Sequence, residues 1–212
     1  AIETAAKLLT TDINDERRDT VLDMIQQNCS HMLGLIESLL DVSAIESGKV
    51  KLHIKSCDIS NLVKERIDLY SHEGDSQSIS IEYSICDTPS VDIDIIKYQQ
   101  VVDNLISNAL KYSPPNNSIY IVLSCTEDTI TFSVEDAGQG VPDSDQEQLF
   151  MPFTLLSSDT TNNEKRLGPG LSIAQSIMDA HGGRLYYKKN TAGPSTFYAE
   201  LPILTEISPK EI

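Results

Sequence analysis

Basic side chains are scarce in this 212-residue chain: 16 Lys and Arg face 32 Asp and Glu, for a formal net charge of −16. Such a surface repels nucleic-acid phosphates and anionic lipid headgroups, which excludes general nucleic-acid binding. A phosphate ligand would therefore need a local cation or a metal ion beside it. The chain also lacks a signal peptide and any apolar run of membrane-spanning length, so a membrane could be reached only through segments upstream of Ala1. Cys29, Cys57, Cys86 and Cys125 form no CxxC pair and have no histidine at metal-ligand spacing, which argues against a disulfide framework or a zinc site. They read as reduced, buried fillers of a cytoplasmic protein. No internal repeat is visible. The chain opens on Ala1 rather than methionine with its first residues already in helical pattern, as expected of a piece of a longer protein.

What is present is an ordinary globular composition, 40% hydrophobic, with length for one good core and a smaller element. A long helix is expected over 16–46. Leu22, Cys29 and Ile36 recur every seven residues, with Ile25, Met32 and Leu39 offset by three, as in a coiled-coil seam. Leu33, Leu35, Leu40 and Val42 widen that stripe, so a helical hairpin pairing with a second copy would bury it. Ser47 and Gly48 end the helix, and the apolar period then changes to two at Val50, Leu52 and Ile54. A domain boundary is placed there: 1–48 a partial helical hairpin, 49–204 a second domain, 205–212 a tail. Strands are expected over 50–55, 78–85, at Val91, and over 119–126, 129–135, 184–189 and 196–201. Helices are expected over 60–72, 95–112 and 171–180. The order predicts an α+β, two-layer sandwich with a mainly antiparallel or mixed sheet.

Chemistry concentrates in three segments. Helical pitch puts Asn104, Asn108 and Lys111 on one face, where two amide oxygens and a cation can hold a hydrated Mg²⁺ together with the phosphates it bridges. Alone, such a face is an ordinary polar flank beside Val101, Leu105 and Ala109. Asp136, Gly138 and Gly140 follow a strand directly. Glycines there permit close approach, and an aspartate at a strand end can accept from an exocyclic amine such as that of adenine. Gly168 and Gly170 run into a helix through Pro169, and the free N–H groups of such a terminus suit a phosphate.

In this order the three segments resemble the N box and the two glycine boxes of the sensor histidine kinase catalytic domain, a Bergerat-type ATP-binding fold shared with DNA gyrase, MutL and the heat-shock chaperone. Phe150, Pro152 and Phe153 are similar to the F box between them. The likeness continues through Asp179, His181, Gly182 and Gly183 to Phe197, Leu201 and Pro202, and upstream through Asp41, Ile45, Glu46 and Gly48 to the end of the dimerisation and phosphotransfer hairpin. Lys111 and Tyr112, with Asn104 where chaperone and topoisomerase relatives normally carry glutamate, point to the kinases.

The resemblance implies ATP and Mg²⁺ as cofactors, with Asn108 as metal ligand, Asn104 its helper, Lys111 a phosphate contact and Tyr112 a wall of the adenine pocket. Asp136 would read adenine. Gly138 and Gly140 would hinge a lid that Phe150 and Phe153 anchor, while Gly168 and Gly170, with Leu171 and Ser172, would bring the next helix to the phosphates. Arg166 stands where the family often has an earlier glycine, and Leu155 where a basic residue often follows the F box, so Lys165 and Arg166 would supply the lid's positive charge. The acceptor histidine would lie roughly two turns before Ala1. His31, off the seam, reads as solvated; His181 reads as a helix C-terminus, His53 as a strand residue, and His72 as lying near a helix end. The implied activity is transfer of the ATP γ-phosphoryl group to that histidine and then to a response regulator receiver domain, by a homodimer joined through the hairpin. The alternative is a degenerate kinase acting as a nucleotide-binding or regulatory dimerisation module.

Overall fold

Strict alternation in two segments sets the frame. Ile119, Ile121 and Leu123 point inward from one strand, and Ile130, Phe132 and Val134 from the next, all 2% exposed or less. The computed structural model describes residues 21, 22, 25, 52–151, 170–189 and 194–203. In order these form β1 (Lys55–Cys57), α1 (Ile59–Ser76), β2 (Ile79–Ile85), β3 (Val91–Ile93), α2 (Ile95–Tyr112), β4 (Asn117–Cys125), β5 (Thr129–Asp136), a single 3-10 turn (Gln146–Gln148), α3 (Gly170–Ala180), β6 (Arg184–Lys189) and β7 (Ser195–Pro202). The chain divides into two compact units, Ala1–Lys49 and Val50–Ile212.

In the second unit β2, β4, β5, β7 and β6 form a five-stranded sheet in that order, parallel between β2 and β4 and antiparallel elsewhere, while β1 and β3 make a separate two-stranded ribbon. One face of the sheet packs on the three helices, giving the expected two-layer α+β architecture. Helix α2 is the centre of that layer. Its apolar positions Tyr98, Val101, Val102, Leu105, Ile106, Ala109 and Leu110 are all buried, at the spacing that makes one stripe. Asp94 starts it, its Oδ1 accepting the Lys97 N–H at 3.1 Å. Arg66 on α1 grips Asp103 on α2 with two bonds of 2.6 and 2.8 Å, fixing how the two helices meet.

His181 joins two helix ends. Its N–H closes the last turn of α3 on Ile177 and Met178, its Nδ1 lies 2.8 Å from the Ile177 carbonyl, and its Nε2 accepts the Asp94 N–H at 2.9 Å. The ring therefore carries its proton on Nδ1 and ties the end of α3 to the start of α2.

Three expectations change. Of the strand expected over 50–55, residues 50 and 51 lie outside the described residues, Leu52, His53 and Ile54 are not strand, and β1 begins at Lys55, the His53 N–H donating to the Asp94 carboxylate at 2.8 Å instead of joining a ladder. Helix α1 runs four residues past His72, its last turn lying against β2 at Gly74, where a Cβ would come within 2.8 Å of the Ile79 carbonyl. Cys57, Cys86 and Cys125, expected to be buried, are half-buried. The helix expected over 16–46 with its seam residues, His31, Ser47, Gly48 and the tail 205–212 lie outside the described residues. Of these only Val21, Leu22 and Ile25 are described; all three are helical. Among the described residues no helix is long and apolar enough to cross a membrane.

Tyr98 is fully buried, and among the described residues its hydroxyl finds no hydrogen-bond partner. Burial also pushes that phenol's pKa up. A buried hydroxyl without a partner costs on the order of 1–3 kcal/mol. Tyr98→Phe is therefore expected to leave stability unchanged or raise it by about 1 kcal/mol. Urea unfolding of the two proteins measures this, and a clear loss would mean that the hydroxyl is satisfied.

Candidate functional site

Asp136 continues the inward parity of β5 after Ile130, Phe132 and Val134, so its carboxylate is carried into the core layer and is 5% exposed. The antiparallel register of β5 and β7 sets Ser195 directly opposite. Ser195 Oγ donates to Asp136 Oδ2 at 2.7 Å, and the Gly138 N–H donates to Oδ1 at 2.8 Å. Burial pushes the Asp136 carboxyl pKa above the ordinary aspartate value; the Ser195 and Gly138 donors oppose this, and neighbouring Glu135 adds to it. Two donors leave lone pairs free on a carboxylate that has little access to water.

Those lone pairs adjoin a cavity of ≈ 330 Å³ lined by residues from five places. Asn108, Lys111 and Tyr112 come from the end of α2, Gly138, Gly140 and Val141 from the loop after β5, Leu149 from just past the 3-10 turn, Leu171 from the start of α3, and Ser195 and Phe197 from β7. Leu149, Leu171, Val141 and Phe197 supply apolar walls, and Asp136, Asn108 and Lys111 the polar groups, the composition of a small-molecule site. Gly138 is required by space: a Cβ there would stand 2.6 Å from Asp136 Oδ1 and 3.0 Å from the Tyr112 carbonyl. Gly140 is required by conformation, with φ of 72°. Lys111 Nζ lies 5.4 Å from the Tyr112 ring centroid, which holds a cation at the cavity edge of a strongly acidic chain.

Asn104 stands apart from this group. Its Nδ2 donates to the Gly170 carbonyl at 3.0 Å, and a Cβ on Gly170 would lie 2.9 Å from its Oδ1. The side chain clamps the start of α3 onto α2 and does not line the cavity. Gly170 accordingly admits helix to helix, the approach on which the position of Leu171 depends. Phe150 packs against the core beside Leu149, and Ser172 is buried in α3. Phe153, Lys165, Arg166 and Gly168 lie outside the described residues. Ser195, Phe197, Val141 and Leu149 were not anticipated as cavity residues; only the β5–β7 register, which pairs Asp136 with Ser195, reveals the first.

Among the described residues no three His, Cys, Asp or Glu side chains cluster as a metal site. Asn108 offers one neutral oxygen at the cavity. That donor suits a hard cation that keeps several waters and takes its remaining ligands from phosphate oxygens.

Comparison with known proteins gives the class. Residues 93–205, just over half of the chain, match the family described as histidine kinase-, DNA gyrase B- and HSP90-like ATPase, and the chain belongs to it. Within that family it is a histidine kinase catalytic core. It is 27% identical over 190 residues, 89% of the chain, to the alginate biosynthesis sensor protein KinB of Pseudomonas aeruginosa. Full-length ShkA in complex with AMPPNP superposes with a TM-score of 0.74 at 22% identity, over 98% of this chain and 43% of that one. ThkA in complex with the response regulator protein TrrA superposes with a TM-score of 0.71 at 21% identity, over 95% of this chain and 57% of that one. The chain spans 26 to 31% of the length of the first curated relatives it matches.

Because the folded state holds the Asp136 proton more tightly than the unfolded chain, this group's contribution to stability is greatest below the unfolded aspartate pKa. It declines as pH rises through the raised folded value. Asp136→Asn removes that penalty and keeps partners for Gly138 and Ser195. The variant is expected to be at least as stable as the parent at neutral pH, with its advantage shrinking in acid. Urea titrations at several pH values check the sign.

Proposed function

We propose that this chain is the ATP-binding core of a two-component sensor histidine kinase, passing the ATP γ-phosphoryl group to a histidine upstream of Ala1 and from there to a response regulator. The observation that carries the reading is Asp136: a buried carboxylate with free lone pairs at the wall of an apolar cavity, which fits an exocyclic amine and an aromatic base. Asn108 and Lys111, on the same helix as Tyr112, would face the phosphates. The AMPPNP bound by ShkA and the TrrA bound by ThkA support a nucleotide and a receiver domain as partners.

In that chemistry the bond between the γ-phosphorus and the β–γ bridging oxygen breaks, ADP leaves, and a nitrogen of the acceptor imidazole takes the phosphoryl group and loses its ring proton. A Mg²⁺ held through Asn108 would neutralise phosphate charge when bound. The chain's own residues do the positioning. Asp136 orients the base, Asn104 holds the two helices at one separation, and Lys111 offsets phosphate charge that the net −16 background would otherwise repel. Residues 1–48 would form part of a hairpin that makes the homodimer. Ile36→Lys would then shift the population toward monomer in sedimentation.

ATP binding is expected to require a divalent metal, and Asn108→Ala to weaken it by roughly 10–100-fold, as for other metal-shell losses. Calorimetric titration giving equal affinity with and without Mg²⁺ would sink the metal assignment.

The degenerate-kinase reading draws on Arg166 and Leu155, which depart from the lid pattern. Incubation with γ-labelled ATP separates the two. The 212-residue chain alone should form no acid-labile, base-stable label, and an upstream extension bearing a histidine should restore it. Failure of an extended protein that still binds MgATP would favour the degenerate module.

A further inference from the structure

The loop after Gly140 is fastened from outside the cavity by β6. The Tyr187 hydroxyl accepts the Val141 N–H at 2.9 Å, and Lys189 Nζ lies 3.4 Å from Asp143 Oδ1. Within the loop, Gln146 Nε2 donates to the Val141 carbonyl at 3.4 Å and to Asp143 Oδ1 at 3.1 Å. At Gly140 a Cβ would come within 3.2 Å of the same Tyr187 hydroxyl, so the turn and the phenol are fitted to each other. The Tyr187 ring meanwhile packs on Phe197, with centroids 5.2 Å apart and planes tilted by 54°. Val141 and Phe197 both line the cavity. One tyrosine thus supports two walls, Phe197 through its ring and Val141 through its oxygen.

We propose that Tyr187 is a positioning residue of the nucleotide site, holding the Val141 wall in place before the ligand arrives and so setting affinity for its base end. The proposal rests on the reading of the cavity given above. The Val141 amide lies between β5 and the 3-10 turn, outside any strand ladder, so the phenol oxygen takes the place of a ladder acceptor. A wall already ordered need not be ordered by the ligand, which is the advantage lost when the bond is removed. Val141 belongs to the same loop as Gly138, whose N–H donates to Asp136, so the effect falls on the base compartment.

The test compares the 212-residue chain with Tyr187→Phe, which keeps the ring against Phe197 and removes only the hydroxyl. Amide hydrogen exchange is measured without ligand, and affinities for MgATP, MgADP and adenosine by calorimetry. At Val141 exchange is expected to accelerate about tenfold or more, with Ile130 and Phe132 unchanged. All three ligands should bind roughly 3–10-fold more weakly by the same factor. Lys189→Ala, which cuts only the outer ion pair, should leave affinity within about twofold. Unchanged Val141 exchange overturns the proposal. So does faster exchange with unaltered affinity, a loss confined to MgATP, or acceleration of the core amides in step with Val141. If the parent chain binds none of the three ligands, the nucleotide reading fails and the affinity claim with it, while Val141 exchange alone still decides whether Tyr187 holds the wall.

Discussion

A single carboxylate is taken out of water at the end of β5, and much of the surrounding structure satisfies or exploits it. Desolvating a charge is costly unless donors meet it. Here the two donors come from different levels of structure. Gly138 is local, two residues along the chain, and Ser195 is a cross-strand partner placed by the β5–β7 register. A slip of that register by one residue would turn Ser195 and Phe197 to the opposite face, leaving Asp136 short of a donor and the cavity short of a wall.

The second constraint is the distance between α2 and α3. Asn104 and Gly170 meet so closely that a Cβ on Gly170 would lie 2.9 Å from the asparagine's amide oxygen, and this close approach brings Leu171 to the cavity. The polar face that pitch alone creates on α2 is therefore divided. One asparagine binds protein, and the next, a turn later, faces the cavity together with Lys111. That division would suit the proposed nucleotide site, whose phosphate end would need few charges but a rigid frame, since catalysis by positioning loses efficiency with small displacements.

Polar chemistry also stitches the helical layer. Arg66 with Asp103 and His181 with Asp94 link elements far apart in sequence; the first is a two-pronged pair that fixes angle as well as distance, and in the second the ring is held at Nδ1 by its own helix while Nε2 takes the Asp94 N–H. Such links hold the helices at set separations beneath a sheet whose opposite side carries the stacked Tyr186 and Tyr198, flanked by Arg184 and Lys188. The same sheet thus offers a dry face to the core and a mixed aromatic and charged face on the other side.

By itself the sequence determined the element order, because periods of two and of 3.6 are properties of neighbouring residues. Helix 95–112 and strand 184–189 were legible to the residue, and the motif order singled out Asp136, Asn108, Lys111, Gly138 and Gly140, which all line one cavity. Boundaries that depend on long-range bonds were not legible. The start of β1 is decided by the bond from His53 to Asp94, and the extra turn of α1 by packing against β2. Tertiary structure alone decided that Asn104 is a clamp, that Ser195 and Phe197 complete the Asp136 pocket, and that Tyr187 reaches the glycine loop. Each of these contacts joins residues more than forty positions apart. Local patterning can assign a side chain to a face, but only register and helix separation can say what that face meets.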